Sequence, residues 1–180
     1  MKYMFASDVH GSAYYCRKML DVYKEEKAER LVLLGDLLYH GPRNDLPREY
    51  APKQVISMLN DMKKEIYAVR GNCEAEVDQM VLQFPVMADY CILNLDGRTF
   101  YATHGHIYNE NNLPPIQEGD ILIHGHTHVL KAEQKEGYVL LNPGSFPIQK
   151  EETPPTYAIF EDGVFTIKDF EGNIVKSIEL

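Results

Sequence analysis

The sequence predicts a mixed α/β (α+β) fold of two sheets with helices covering them. Three observations carry this. Short apolar runs alternate with helically spaced apolar residues through the first part of the chain. The second half holds only short strand-like segments between turn residues. The 180 residues are 44% hydrophobic and 25% charged, which are globular values at the usual size of one domain, here residues 1–180. A chain this long buries roughly 70% of its unfolded surface and needs no disulfide or structural metal to fold.

Residues 2–7 are an apolar run that ends in a polar cluster, which fits a strand. Ser12 is suited to cap a helix. Ala13, Cys16, Leu20 and Tyr23 then recur at helical spacing. Residues 31–34 are wholly apolar and stop at Gly35, as a buried strand does. The loop 39–50 is rich in Pro, Asn, Arg and Gly. Pro52 suits the first position of a second helix, with Val55, Ile56, Leu59 and Met62 as its apolar face. Residues 66–69 form a third buried strand, followed by Arg70-Gly71-Asn72-Cys73. This alternation favours right-handed crossovers and a largely parallel sheet. Residues 91–95 and 99–103 flank Asp96-Gly97, a hairpin signal. Residues 121–123 are another buried strand, ending at His124, and short strands follow at 130–134, 138–141, 157–160, 164–169 and 174–178.

The charge narrows the possible partners. Acidic residues number 27 against 18 basic ones, a formal charge of -9. No nucleic-acid surface or anionic-membrane surface is expected, because both need clustered Lys and Arg. A small phosphate ester needs only a local positive site and stays allowed. Cys16, Cys73 and Cys91 are odd in number and widely spaced, which reads as reduced thiols in a cytoplasmic protein. No apolar run approaches the roughly 20 residues of a membrane span.

The chemistry lies where polar residues fall. Asp8 and His10 follow the first strand, Asp36 the second and Asn72 the third. His104 follows the hairpin's return strand, and His126 and His128 follow the strand at 121–123. Carboxyl ends of strands in an open sheet converge on one edge, where ligands bind. Gly11, Gly35, Gly71, Gly105 and Gly125 adjoin these groups and allow a crowded approach. Imidazole with carboxylate suits Mn, Fe, Co, Ni or Zn better than Ca or Mg. Seven ligands without a thiolate are too many for one tetrahedral zinc. They suit two metals sharing a carboxylate about 3.5–4 Å apart, with Asp36 as the central group.

The motifs Asp8-Val9-His10, Gly35-Asp36, Gly71-Asn72-Cys73-Glu74, Thr103-His104-Gly105-His106 and Gly125-His126-Thr127-His128 resemble the calcineurin-like metallophosphoesterases. Asn142-Pro143-Gly144-Ser145 and the small size resemble the compact bacterial and archaeal phosphodiesterases of that group. His40-Gly41-Pro42-Arg43-Asn44 and Val69-Arg70-Gly71-Asn72-Cys73 resemble its YfcE-like subgroup. The resemblance implies a two-sheet β-sandwich flanked by helices (αββα). It implies one metal on Asp8, His10, Asp36 and His128, and another on Asp36, Asn72, His104 and His126. Manganese is the frequent metal of such bacterial enzymes. The implied activity is hydrolysis of a small phosphodiester by a bridging hydroxide.

Arg43 is the expected phosphate contact, with His40 beside it; the competing reading is a solvated loop arginine. Arg70 is expected to order its own loop. The family's usual proton donor, a His after Gly-Asn assisted by the next acid, is replaced by Cys73. With Asn72 and His104 it completes the expected catalytic group, although a thiol is a poorer proton donor than a tuned imidazole. The alternative to an enzyme is a non-catalytic scaffold of the same fold, whose ligand positions would be substituted; here none is. A homo-oligomer, dimer or tetramer, is implied by the compact relatives.

Overall fold

The computed structural model describes all 180 residues, 1–180. In chain order the elements are β1 (Tyr3–Ala6), α1 (Ala13–Glu25), β2 (Arg30–Leu33), α2 (Pro52–Asp61), β3 (Ile66–Ala68), α3 (Glu76–Val81) and β4 (Tyr90–Leu95). Then come β5 (Arg98–Thr103), β6 (Asp120–Ile123), β7 (Lys131–Gln134), β8 (Tyr138–Asn142), β9 (Thr156–Glu161), β10 (Val164–Asp169) and β11 (Ile174–Glu179). Ser12 caps α1 through its side chain, accepting from the Tyr15 amide at 3.3 Å. Pro52 opens α2, where its missing N–H costs nothing. The short helix α3 has no counterpart in the sequence reading. Its first turn is held by Asp78, whose carboxylate accepts the Ala75 N–H.

The strands form two mixed sheets. The first has six strands in the order β11-β10-β9-β1-β2-β3, and the second five in the order β4-β5-β6-β8-β7. Parallel pairing is confined to β1–β2–β3 in the first sheet. In the second it joins β5 to β6 and β6 to β8. The expected largely parallel sheet is therefore half right. The antiparallel strands β9 to β11 return from the end of the chain and extend it past β1.

The apolar runs of β1 and β2 are explained by burial on both faces. Met4, Ala6, Leu31 and Leu33 pack with α1 and α2, against Val22, Val55 and Leu59. Phe5, Val32 and Leu34 point the other way and meet Phe100, Ile121, Ile123 and Leu141 of the second sheet. The outer face of the second sheet is covered differently. Leu122, Tyr138 and Leu140 lie there with Ile116 from the irregular segment between β5 and β6. The helices thus back one sheet, and a loop backs the other.

Candidate metal centre

The carboxyl ends of β1, β2 and β3 bring Asp8, His10, Asp36 and Asn72 to the seam between the sheets. The ends of β5 and β6 bring His104, His126 and His128 from the other side. Backbone conformation shows how tightly this is built. Eleven non-glycine residues have positive φ, and five are Asp8, His10, Asp36, His126 and His128. L-residues avoid this region, at roughly 1–3 kcal/mol each, and such strain gathers at functional sites. Gly125 is needed for close approach: a Cβ there would run into Ser7 Oγ and crowd Asp8.

The distances describe one cluster. Asp8 Oδ1 lies 3.3 Å from His128 Nε2 and 3.6 Å from His10 Nε2. Asp36 Oδ2 lies 3.8 Å from His10 Nε2 and 3.5 Å from His104 Nε2. The same His104 nitrogen faces Asn72 Oδ1 at 3.1 Å and His126 Nδ1 at 3.1 Å. Asp36 is thus common to both halves, the position expected of a shared ligand.

The donor set fits a pair of divalent metal ions. Each carboxylate has one anchored oxygen and one turned inward. Asp8 Oδ2 accepts from Ser7 Oγ at 2.5 Å and from the His126 amide at 3.0 Å. Asp36 Oδ1 accepts from the Cys73 amide at 2.9 Å. Asp8 Oδ1 and His10 Nε2 are buried and have no hydrogen-bond partner at all, an arrangement that costs free energy unless a cation completes it. Three of the imidazoles are oriented from behind. His10 Nδ1 meets the Tyr39 carbonyl at 2.9 Å, His104 Nδ1 that of Leu34 at 2.6 Å and His128 Nδ1 that of Ile148 at 2.5 Å. A proton held on Nδ1 leaves the Nε2 lone pair facing inward, as a metal ligand requires.

Electrostatics agrees. Burial would raise the Asp8 carboxyl, but the facing rings of His10 and His128 and the charge of His104 outweigh it and hold the group well below its usual range. Burial would lower His104, yet its bond to Asp36 and the two carboxylate charges push it up to about 9. In the metal-free chain a proton occupies that place, and a metal must displace it. His126 is held down at about 4 by burial and by His104, so its ring is neutral and free to donate a lone pair.

The remaining sequence-expected residues separate. Arg43 lines the cleft over the cluster, a space of about 530 Å3 that also takes in Asn44, Thr127 and Lys150. Lys150 had no sequence signal; it lies two residues beyond Ile148, whose carbonyl meets His128 Nδ1. His40 is not on the cleft wall. Its ring is packed between those of Tyr39 and Tyr50, with centroids at 4.7 and 5.2 Å. Arg70 pairs with Asp89 at 3.6 Å, in keeping with a loop-ordering role. Cys73 borders the cleft, with Sγ 3.4 Å from Asn72 Nδ2. Burial and the charge of Asp36 drive its thiol pKa upward, which keeps it protonated.

Glu74 does not stand ready to assist Cys73. Its oxygens accept the amides of Asp36 at 2.8 Å, Leu37 at 2.7 Å and Gly71 at 2.5 Å. It joins the turn after β2 to the turn after β3. His124, outside the cluster, is fully buried and meets Glu110 at 3.2 Å, away from the cleft.

Comparison with known proteins places this arrangement. Residues 1–162 match the calcineurin-like phosphoesterase superfamily domain. The chain is 43% identical to phosphodiesterase YfcE of Escherichia coli K12 over 167 residues, covering 93% of this chain and 91% of that protein. It is 24% identical to phosphodiesterase MJ0936 of Methanocaldococcus jannaschii, covering 80% and 83%. The solved E. coli YfcE structure superposes with a TM-score of 0.97 at 40% identity over 99% of both chains. Vps29 of Cryptosporidium parvum shares the fold at a TM-score of 0.64 and 17% identity, over 99% of this chain and 98% of its own. With nine-tenths of its length matched and its cluster of strand-end carboxylates and imidazoles at the seam of two sheets, the chain belongs to the calcineurin-like phosphoesterase superfamily.

Proposed function

We propose that this protein is a metal-dependent phosphodiesterase acting on small phosphodiesters. The observation that carries the reading is the pair of buried, unpartnered atoms Asp8 Oδ1 and His10 Nε2 beside an inward-facing Asp36. Asp8, His10, Asp36 and His128 would hold one ion, and Asp36, Asn72, His104 and His126 the other. Two divalent ions held there would lower the pKa of water toward neutrality and would offset charge building on the phosphoryl oxygens.

The chain's own groups do the rest. The carbonyls of Tyr39, Leu34 and Ile148 fix three rings in the ligand tautomer. Arg43 and Lys150 give the cleft rim two positive charges in a protein that is otherwise acidic. Arg43→Ala is expected to raise KM and lower turnover by about tenfold together, a charge-assisted contact's usual worth. Unchanged constants would remove Arg43 from the site. The names of the E. coli and M. jannaschii relatives support the diesterase reading.

Manganese as the metal, a cytoplasmic location and assembly into dimers or tetramers belong to the same proposal. Three free cysteines favour a reducing compartment, and no helix is long and apolar enough to cross a membrane. Residues 1–180 act as one unit, because the first sheet needs strands from both ends of the chain. The deciding experiment is metal analysis of the purified protein, followed by a screen after manganese addition. The screen spans aryl diesters, cyclic nucleotides, glycerophosphodiesters and phosphomonoesters. About two ions per chain with diester turnover is the expected result. No bound metal and no turnover would favour a scaffold of the same fold.

A further inference from the structure

A second cavity, of about 390 Å3, adjoins the metal cleft. Its lining is of opposite character: eight of its ten residues are hydrophobic, against one of twelve in the cleft. Cys73 lines both spaces and is the wall they share. The thiol sulfur also lies within 4.8 Å of ligand atoms of His10 and Asp36. Tyr39, Tyr50, Pro52, Ile56, Val77 and Val81 form most of the rest of the apolar surface.

This surface is built. Tyr39 is tied to the metal cluster through its carbonyl, which binds His10. The rings of Tyr39 and Tyr50 are braced against His40 from two sides. That bracing gives His40 a use the cleft does not. The α3 wall follows directly from Glu74, which is fastened to the turns after β2 and β3. The carboxylate of Asp78, which also borders the cavity, is occupied by the Ala75 amide. Even so, Tyr39 is 42% and Val77 58% exposed. Apolar side chains left open to water beside a polar cleft are the usual make-up of a ligand pocket.

We infer that this cavity receives one ester arm of the substrate, so that the preferred phosphodiester carries an apolar aryl or alkyl group on one side. The inference rests on the phosphodiesterase reading. A phosphoryl group held over Asp36 and Asn72 has Cys73 beside it. A substituent passing the thiol leaves a lining of charged and amide side chains and enters one of Tyr, Ile and Val.

Calorimetric titration of manganese-loaded protein with methyl-, butyl- and hexylphosphonate tests it, since each has a phosphoryl head and a single arm. Affinity should rise by about fourfold per added methylene, the transfer free energy of that group. Val77→Asp and Val81→Asp should each flatten the series. Methylphosphonate, too short to reach the cavity, should bind both variants as it binds the parent. A series flat in the parent, with methylphosphonate bound, would overturn the apolar arm and leave the phosphodiesterase reading standing. The parent's slope persisting in both variants would overturn it equally. A flat series together with a dimer that Val77→Asp dissociates would assign the surface to a second copy of the chain. Failure of methylphosphonate to bind would count against the phosphoryl cleft, and with it both proposals.

Discussion

The two sides of the cleft solve one problem with different means. On the first-sheet side, Asp8, Asp36 and Asn72 end parallel strands backed by α1 and α2, and Glu74 binds the turns after β2 and β3. On the second-sheet side, His104, His126 and His128 sit on strand ends whose outer face is covered by a loop. There Asn142 does the fastening, with Nδ2 donating to the Gly125 carbonyl at 2.9 Å and to Thr127 Oγ1 at 3.1 Å. One side brings mostly oxygen ligands and negative charge, the other neutral lone pairs. The seam is closed by a bond between them, from the His126 amide to Asp8 Oδ2. The helix-backed side thus carries the charge, and the loop-backed side brings the imidazoles to it.

The largest test is at the group both halves share. Asp36→Asn should lower metal content from two ions and reduce diester turnover by at least about a thousandfold. Metal analysis and kcat on an aryl diester check this; retention of two ions would remove Asp36 as the shared ligand. Next is the fastening on the charged side. Glu74→Gln puts an amide donor against one of three backbone N–H groups, which should cost about 3 kcal/mol and about 10–100-fold in metal affinity. Denaturant unfolding and metal titration read the two effects separately.

Asn142→Ala removes the fastening on the other side of the seam, two Nδ2 bonds and the Gly144 amide bond to Oδ1 at 2.9 Å, and should cost about 2 kcal/mol, because the bonds lost are neutral. An Asn142→Ala loss equal to that of Glu74→Gln would break the asymmetry. The smallest effect concerns the loop that backs the second sheet. Burial would raise Glu110, but the Lys131 bond at 2.5 Å and the facing His124 outweigh it and lower its pKa to about 2. A depressed carboxyl stabilises the fold above its unfolded value of roughly 4.3 and loses that contribution as pH falls toward the folded one. Glu110→Gln should therefore cost under about 1 kcal/mol at pH 7, the pair being partly exposed and screened. That difference should shrink as pH falls from roughly 4.3 toward 2. Denaturation midpoints of both proteins at pH 7 and pH 3 would show it; a difference unchanged at pH 3 would refute the linkage.

Much of the site was legible before any fold was known. Asp8, Asp36, Asn72, His104 and the His126-Thr127-His128 pair each follow an apolar run, and each adjoins or lies near a glycine. Run length, turn residues and polar punctuation are local properties, so they can be read locally. The ends of the strands, and therefore the positions of these polar groups along the chain, are set by the local sequence. So are the hairpin at Asp96-Gly97 and the two longer helices.

Tertiary structure decided the rest. Nothing local says that β9 pairs with β1, or that β9 to β11 leave the second half of the chain to complete the first sheet. Strand pairing depends on how faces are buried against partners far away in sequence. The same holds for side-chain roles. His40 and Arg43 sit in one short motif, yet one is packed between tyrosines and the other lines the cleft. Glu74 resembled an acid beside a proton donor until three amides were found around it. Lys150 lines the cleft two residues beyond the Ile148 carbonyl that meets His128. The sequence by itself determined which chemical groups stand at the strand ends. Packing determined which way each one faces, because direction is set by contacts between segments that the chain keeps far apart.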